Sequence, residues 1–280
     1  MLAPILGARR NGAVTTPSTR GLLVTVLGEL VAPNGGEVWT QSLIEVLELF
    51  DIEPKASRQA IARLGQQGWL ESDRFGRRTR WRLTPWADAL LASGAERIYG
   101  FGRQRTEWDR QWLLAMVSVP EAQRRLRYRL EVGLGWAGFG TVGQGLWLSP
   151  WTDRESEAAR LLVELDIESP VIFRAEIGDI GNGVELAARA WDLPRVAAGY
   201  GEFIDSVPET PQSAPEAAAA LVLLVHQWRR FPLLDPDLPA ELLPDDWPGA
   251  AAAGRFRMLH DQFTPPARQW WASIESQFAS

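Results

Sequence analysis

One stretch, EPKASRQAIARLGQQGWLESDRFGRRTRWR at residues 53–82, constrains the fold more than any other. Pro54 suits the first turn of a helix, because its fixed φ is already helical. From Pro54 to Gln67, helical spacing puts Ala56, Ala60, Ile61 and Leu64 inward, with Lys55, Ser57, Arg58, Gln59 and Arg63 outward or on the flank. Gly68 stops the helix. Trp69–Asp73 reads as a strand, Arg74–Arg77 as a turn and Arg78–Leu83 as a returning strand. Between Pro54 and Arg82 stand eight basic residues against only Glu71 and Asp73, in a chain of net charge −6. Charge segregated in this way is the footprint of a surface that faces phosphates.

The flanks complete a helix-turn-helix with a hairpin behind it. Leu22, Leu23, Val26, Leu27 and Leu30 share a helical face, and Pro33-Asn34-Gly35-Gly36 ends that segment. Val38-Trp39 is a candidate short strand, and Leu43, Val46, Leu47 and Phe50 line a second helix. Thr84-Pro85 opens a further helix that runs towards Gly94. This order is that of a winged helix-turn-helix over residues 20–94, preceded by a loose arm over 1–19 that carries Arg9 and Arg10. A connector over 95–107 leads to a second region, 108–181. There the strand WLLAMVSV, the helix 121–132, the strand LWLS, the helix 153–165 and the strand 171–177 suggest a ferredoxin-like α+β domain. Residues 182–280 read as a mostly helical domain, with helices over 184–191, 195–204, 216–230, 250–263 and 265–278. The fold class expected is therefore α+β and multidomain.

Composition narrows the chemistry. With no cysteine there is no disulfide framework, thiolate metal site or Cys nucleophile, which fits a cytoplasmic protein. The longest apolar run, Ala217–Val225, is far short of the roughly 20 residues that span a bilayer, so no membrane is expected as a partner. The two histidines, His226 and His260, and the unevenly spaced Asp235, Asp237, Asp245 and Asp246 make neither a catalytic constellation nor a metal site. No catalytic, cofactor or metal residues are assigned.

The chain resembles the PaaX family of bacterial transcriptional repressors. The resemblance runs from about Arg20 to the end and is carried by RGLLVTVLGELV, GGEVW, SRQAIARLGQQGWLESDRFGRRTRWRLTP, WDRQWLLAMVSVP and, most specifically, HQWRRFPLLDPDLPAELLPDDWPG at 226–249. It implies a winged helix, a ferredoxin-like middle domain and a helical C-terminal domain. It also implies a homodimer that binds double-stranded operator DNA, represses catabolic genes and is released by an effector, phenylacetyl-CoA or another CoA thioester. The rival from another class is an enzyme, a metal-dependent nuclease or a CoA-ester-processing protein, that uses the winged helix as an interaction module.

Candidate DNA contacts are Lys55, Ser57, Arg58, Gln59 and Arg63 on the helix, with Arg74, Arg77, Arg78 and Arg80 on the hairpin. Arg and Gln have the donors and acceptors to read guanine and adenine, and the hairpin arginines suit phosphate. Candidate effector residues are Trp136, Trp191 and Trp228 as apolar walls, with His226, Arg229 and Arg230 as polar groups. Each has a plainer reading as core packing or as an inter-domain ion pair. Gly138-x-Gly140-x-x-Gly143 has the letters of a dinucleotide fingerprint but follows a helix and precedes a strand, so it reads as a loop that permits close backbone approach.

Overall fold

Helical spacing sets up the first elements of the chain, which a computed structural model describes over residues 17–102, 107–143, 145–206 and 210–279. The expected arm lies outside these residues up to position 16. Helix α1 (Thr19–Val26) is capped by Ser18, whose Oγ accepts from Gly21 N at 3.1 Å. It continues into a π-helical turn, Leu27–Val31. Strand β1 (Glu37–Trp39), α2 (Thr40–Glu48) and α3 (Pro54–Gln66) follow, then β2 (Leu70–Phe75), β3 (Arg78–Leu83) and α4 (Pro85–Gly100). Thr84 caps α4 as its sequence suggests, but the helix runs through Gly94 and takes up six residues of the expected connector.

These elements belong to one of two compact units. The first comprises residues up to Phe101 with Gly201–Arg230 and Ala251 onward; the second comprises Gly102–Tyr200 with Phe231–Ala250. In the first, a three-stranded antiparallel sheet has the order β1-β3-β2. Its core is built from Leu22, Leu23, Val26 and Leu27 of α1 and its extension and from Leu43, Ile44 and Leu47 of α2, all buried. Helix α1 also packs on α9 (Ala214–Trp228), which is buried all round from Ala217 to Val225. A helix apolar on every side belongs inside a core.

The second unit holds a four-stranded antiparallel sheet of order β5-β6-β4-β7. Its elements run β4 (Trp112–Met116), α5 (Arg124–Trp136), β5 (Gly140–Gly143), β6 (Leu146–Ser149), α6 (Glu155–Glu164) and β7 (Val171–Ala175). Alternation along β4 divides its side chains between two cores. Leu113 and Ala115 pack with Leu130 and Leu134 of α5 and Leu162 of α6. Trp112 and Leu114 pack on the other side with Ala187 of α7 (Gly183–Ala190) and Leu242. Strand β5 corrects the reading of 133–145 as loop. Only Thr141 and Val142 there favour a strand, and the bulge between Thr141 and Gly143 breaks its alternation.

The remaining helices are α8 (Leu193–Ser206), the short α10 (Phe231–Leu234) and α11 (Gly249–Ala279). The two helices expected over 250–263 and 265–278 are one helix of 31 residues, with Pro265 and Pro266 inside it. The whole is a mixed α+β chain with two small antiparallel sheets and a helical C-terminal region.

Candidate nucleic-acid interface

Helices α2 and α3 are joined by Leu49–Glu53, where Asp51 adopts a left-handed φ of 58°. Pro54 occupies the first turn of α3 as its sequence requires. The buried face is Ser57, Ile61 and Leu64, not Ala56 and Ala60. This spacing of four and three residues turns the helix so that Lys55, Gln59, Ala62 and Gln66 lie opposite the core, with Arg58 and Arg63 beside them. All six are exposed. Ser57 is therefore withdrawn from the candidate contacts: it is fully buried, and its Oγ donates to Glu53 O at 3.2 Å. The small hydroxyl satisfies itself on the backbone, so it tolerates a core position.

The hairpin turns on Gly76, φ 62°, and Arg77. Glycine holds that left-handed conformation without the Cβ penalty. Arg74 and Arg77 are exposed, as is Phe75 at the same tip. The arginines of β3 are engaged within the protein. Arg80 Nη2 lies 3.0 Å from Glu37 Oε2, and its guanidinium sits 5.5 Å from the centre of the Trp39 ring. Arg82 lies between Glu37, Glu71 and Asp73 at 3.6–3.9 Å. Arg78 Nη1 donates to Phe278 O at 2.9 Å. Arg80, expected on phosphate, is thus held by Glu37 and Trp39. Period-two alternation puts Arg78, Arg80 and Arg82 on one face, while the registers Glu71↔Arg82 and Asp73↔Arg80 bring acids against them. Glu37, Ala62 and Gln66 were not singled out in the sequence. Glu37 was legible only after β1 was paired with β3, and Gln66 only after the buried face of α3 was known.

The six candidate effector residues divide between the two units: His226, Trp228, Arg229 and Arg230 belong to the first, Trp136 and Trp191 to the second. Trp228 is fully buried in the first unit, stacked 4.7 Å from Phe256, and its Nε1 donates to Ile98 O at 3.2 Å. His226 meets Thr25 Oγ1 at 3.2 Å. Thr25 Oγ1 also donates to Gly21 O at 3.0 Å, an arrangement that suits a proton on His226 Nδ1. Burial, and then the neighbouring Arg229 charge, lower the His226 pKa to about 4. Arg229 Nη2 donates to Gly21 O at 3.4 Å, and Arg230 faces Glu202 at 3.8 Å. In the second unit Trp191 packs against Gly140, where a Cβ would meet the Trp191 ring at 2.5 Å. The close backbone approach expected of the glycine-rich stretch is therefore to an indole. Trp136, at the end of α5, is half exposed.

An open cleft of about 720 Å³ lies in the second unit. Trp108 and Trp112 meet edge-to-face at its wall, and Glu107, Glu176 and Glu241 outnumber Arg110 around it. The Trp112 indole N–H has no hydrogen-bond partner among the described residues.

Comparison with known proteins gives a consistent result along the chain. Residues 18–87 match the profile of the PaaX-like protein, 105–187 the PaaX protein central Cas2-like domain, and 191–273 the PaaX-like protein C-terminal domain. The transcriptional repressor PaaX of Escherichia coli (strain K12) is 31% identical over 263 residues, spanning 89% of this chain and 82% of that protein. Among solved structures, the uncharacterized protein Rv0674 from Mycobacterium tuberculosis superposes with a TM-score of 0.64 at 23% identity, covering 91% of this chain and 99% of that one. The similarity to Rv0674 speaks for the fold alone. Matched in succession by all three profiles and by a relative over most of its length, the chain belongs to the PaaX family.

Proposed function

We propose that this chain is a DNA-binding transcriptional repressor, a regulator rather than an enzyme, working in the cytoplasm as a homodimer. Residues 19–83 form a winged helix-turn-helix in this reading, with α3 as recognition helix and the β2–β3 hairpin as wing. The β4-α5-β5-β6-α6-β7 unit, with strand order β5-β6-β4-β7, is read as a ferredoxin-like domain. The observation that carries the proposal is the exposed row Lys55, Gln59 and Gln66 on α3, flanked by Arg58 and Arg63, with Arg74 and Arg77 exposed on the hairpin. Such a row suits base edges in a major groove, and the arginine pair suits phosphates. A dimer would set two such helices roughly 34–36 Å apart. The name of the Escherichia coli relative, a transcriptional repressor, supports the same reading.

The test is a mobility-shift titration with the DNA upstream of the protein's own gene, against unrelated competitor at physiological salt. A preference of about 10³-fold or more is expected of a specific repressor; equal binding to both DNAs would refute the reading.

The effector is proposed to be a small molecule held by the second unit. A CoA thioester remains the ligand drawn from the resemblance, yet its phosphates are poorly matched to a cleft where, among the described residues, Glu107, Glu176 and Glu241 stand with Arg110. That cleft suits a ligand without phosphates, and a CoA thioester would dock elsewhere. Phenylacetyl-CoA that dissolves the DNA complex equally well with wild type and Glu176→Lys fits this assignment. Strong enhancement by Glu176→Lys would place the phosphates in the cleft.

A further inference from the structure

Helix α11 ends against the same small sheet that carries the hairpin. Its anchoring residues Trp271 and Ile274 are buried in the first unit. Directly after Ile274, Glu275 Oε1 accepts from the backbone N–H of Trp39, the last residue of β1, at 3.3 Å. The Phe278 carbonyl accepts from Arg78 Nη1, at the first residue of β3. The last carbonyls of a helix lack intrahelical donors and carry partial negative charge, so a guanidinium there is both a cap and an electrostatic match. Two of the three strands are thus tied to one helical turn. Among the described residues, strand β2, which carries Arg74, pairs in the sheet with β3 alone.

We propose that the last turn of α11 braces the wing, and that Arg78 is a positioning residue for DNA binding and not a phosphate contact. This rests on the DNA-binding reading above. Arg78 follows Gly76-Arg77 directly, so fixing its guanidinium on Phe278 O fixes the base of the turn that presents Arg77. The Glu275 contact with Trp39 is partly buried, and that burial raises the Glu275 pKa, whereas Arg78 meets Phe278 O at the surface.

The two roles of Arg78 leave different signatures in salt. A lost phosphate contact lowers both the affinity and the slope of log K against log salt, the slope by about 1. A lost brace lowers affinity and leaves the slope alone. Three variants therefore decide the matter: Arg78→Ala, a chain ending at Glu275 that lacks the Phe278 carbonyl, and the two combined. Circular dichroism melts establish that each folds. The expected result is a loss of operator affinity of about tenfold in each single variant, the scale of one hydrogen bond to a charged group. The slope should stay at its wild-type value, and the combined variant should lose no more than either alone. Glu275→Gln, which keeps an acceptor for Trp39 N–H, should bind like wild type, and Glu275→Ala should not. Hydrogen exchange without DNA gives an independent reading: the amides of Leu70–Leu83 should lose protection in Arg78→Ala and in the shortened chain alike. A slope reduced by about 1 in Arg78→Ala, with full affinity in the shortened chain, would overturn the proposal. Unchanged hairpin exchange in both would overturn it too. If wild type shows no sequence preference, the repressor reading fails, and the exchange experiment still decides whether the brace exists.

Discussion

Arginine alone says little about which side chain meets DNA; what its guanidinium already holds says more. Arg77 is exposed beside Gly76, whereas Arg80 is spent on Glu37 and Trp39. Arg77→Ala is therefore expected to weaken binding to every DNA sequence and to reduce the salt slope by about 1. Arg80→Ala should leave that slope unchanged, and titrations at several salt concentrations compare them. His226 makes a second prediction at this scale. Its folded pKa, about 4, lies below the ordinary value of 6.5, so the unfolded chain takes up the proton first as pH falls. The stability it contributes is complete above about pH 6.5 and is lost progressively as pH drops towards about 4. His226→Gln should flatten this part of the pH dependence in denaturant titrations; an unaltered slope would show that other groups set it.

At the scale of elements, most of the first unit was legible, and the reasons for the exceptions are physical. Pro54, Gly68 and Thr84-Pro85 mark boundaries because each restricts the backbone locally, and α3, β2 and α4 begin or end where they stand. The rotation of α3 was not legible, because Ala56, Ser57 and Ala60 are all small and only the packing of Ile61 and Leu64 chooses among them. Strand β5 was hidden by glycines whose use appears only with their neighbours in place. Gly140 is the clearest case, with the Trp191 ring and Ala190 O both within 2.8 Å of a would-be Cβ. Gly140→Ala is expected to cost about 1–3 kcal/mol by overpacking. Differential scanning calorimetry should show a lowered transition, and an unshifted one would mean that Trp191 gives way freely. Pairing of Glu37 with Arg80 and Arg82 across β1 and β3 was equally out of reach, since a three-residue strand gives too little pattern to fix its register.

For the whole molecule, the three consecutive segments matched by family profiles and the two compact units are different divisions of one chain. The first unit draws on residues before 102, from 201 to 230 and after 250. Its buried faces on α1 rest on α9, and the Trp228 ring lies on Phe256 of α11. A fragment of residues 17–101 would lose those surfaces, so it is expected to unfold at lower denaturant and less cooperatively than the full chain. A fragment as stable as the whole would show that the later helices are dispensable. The same threading sets an order in time. Synthesis proceeds from the N-terminus at about 5–20 residues per second. Glu275 and Phe278, which meet Trp39 and Arg78, therefore leave the ribosome long after the β2–β3 hairpin. A nascent chain carries the arginines of its hairpin long before Phe278 exists, so the brace proposed for them cannot form until synthesis has passed that residue.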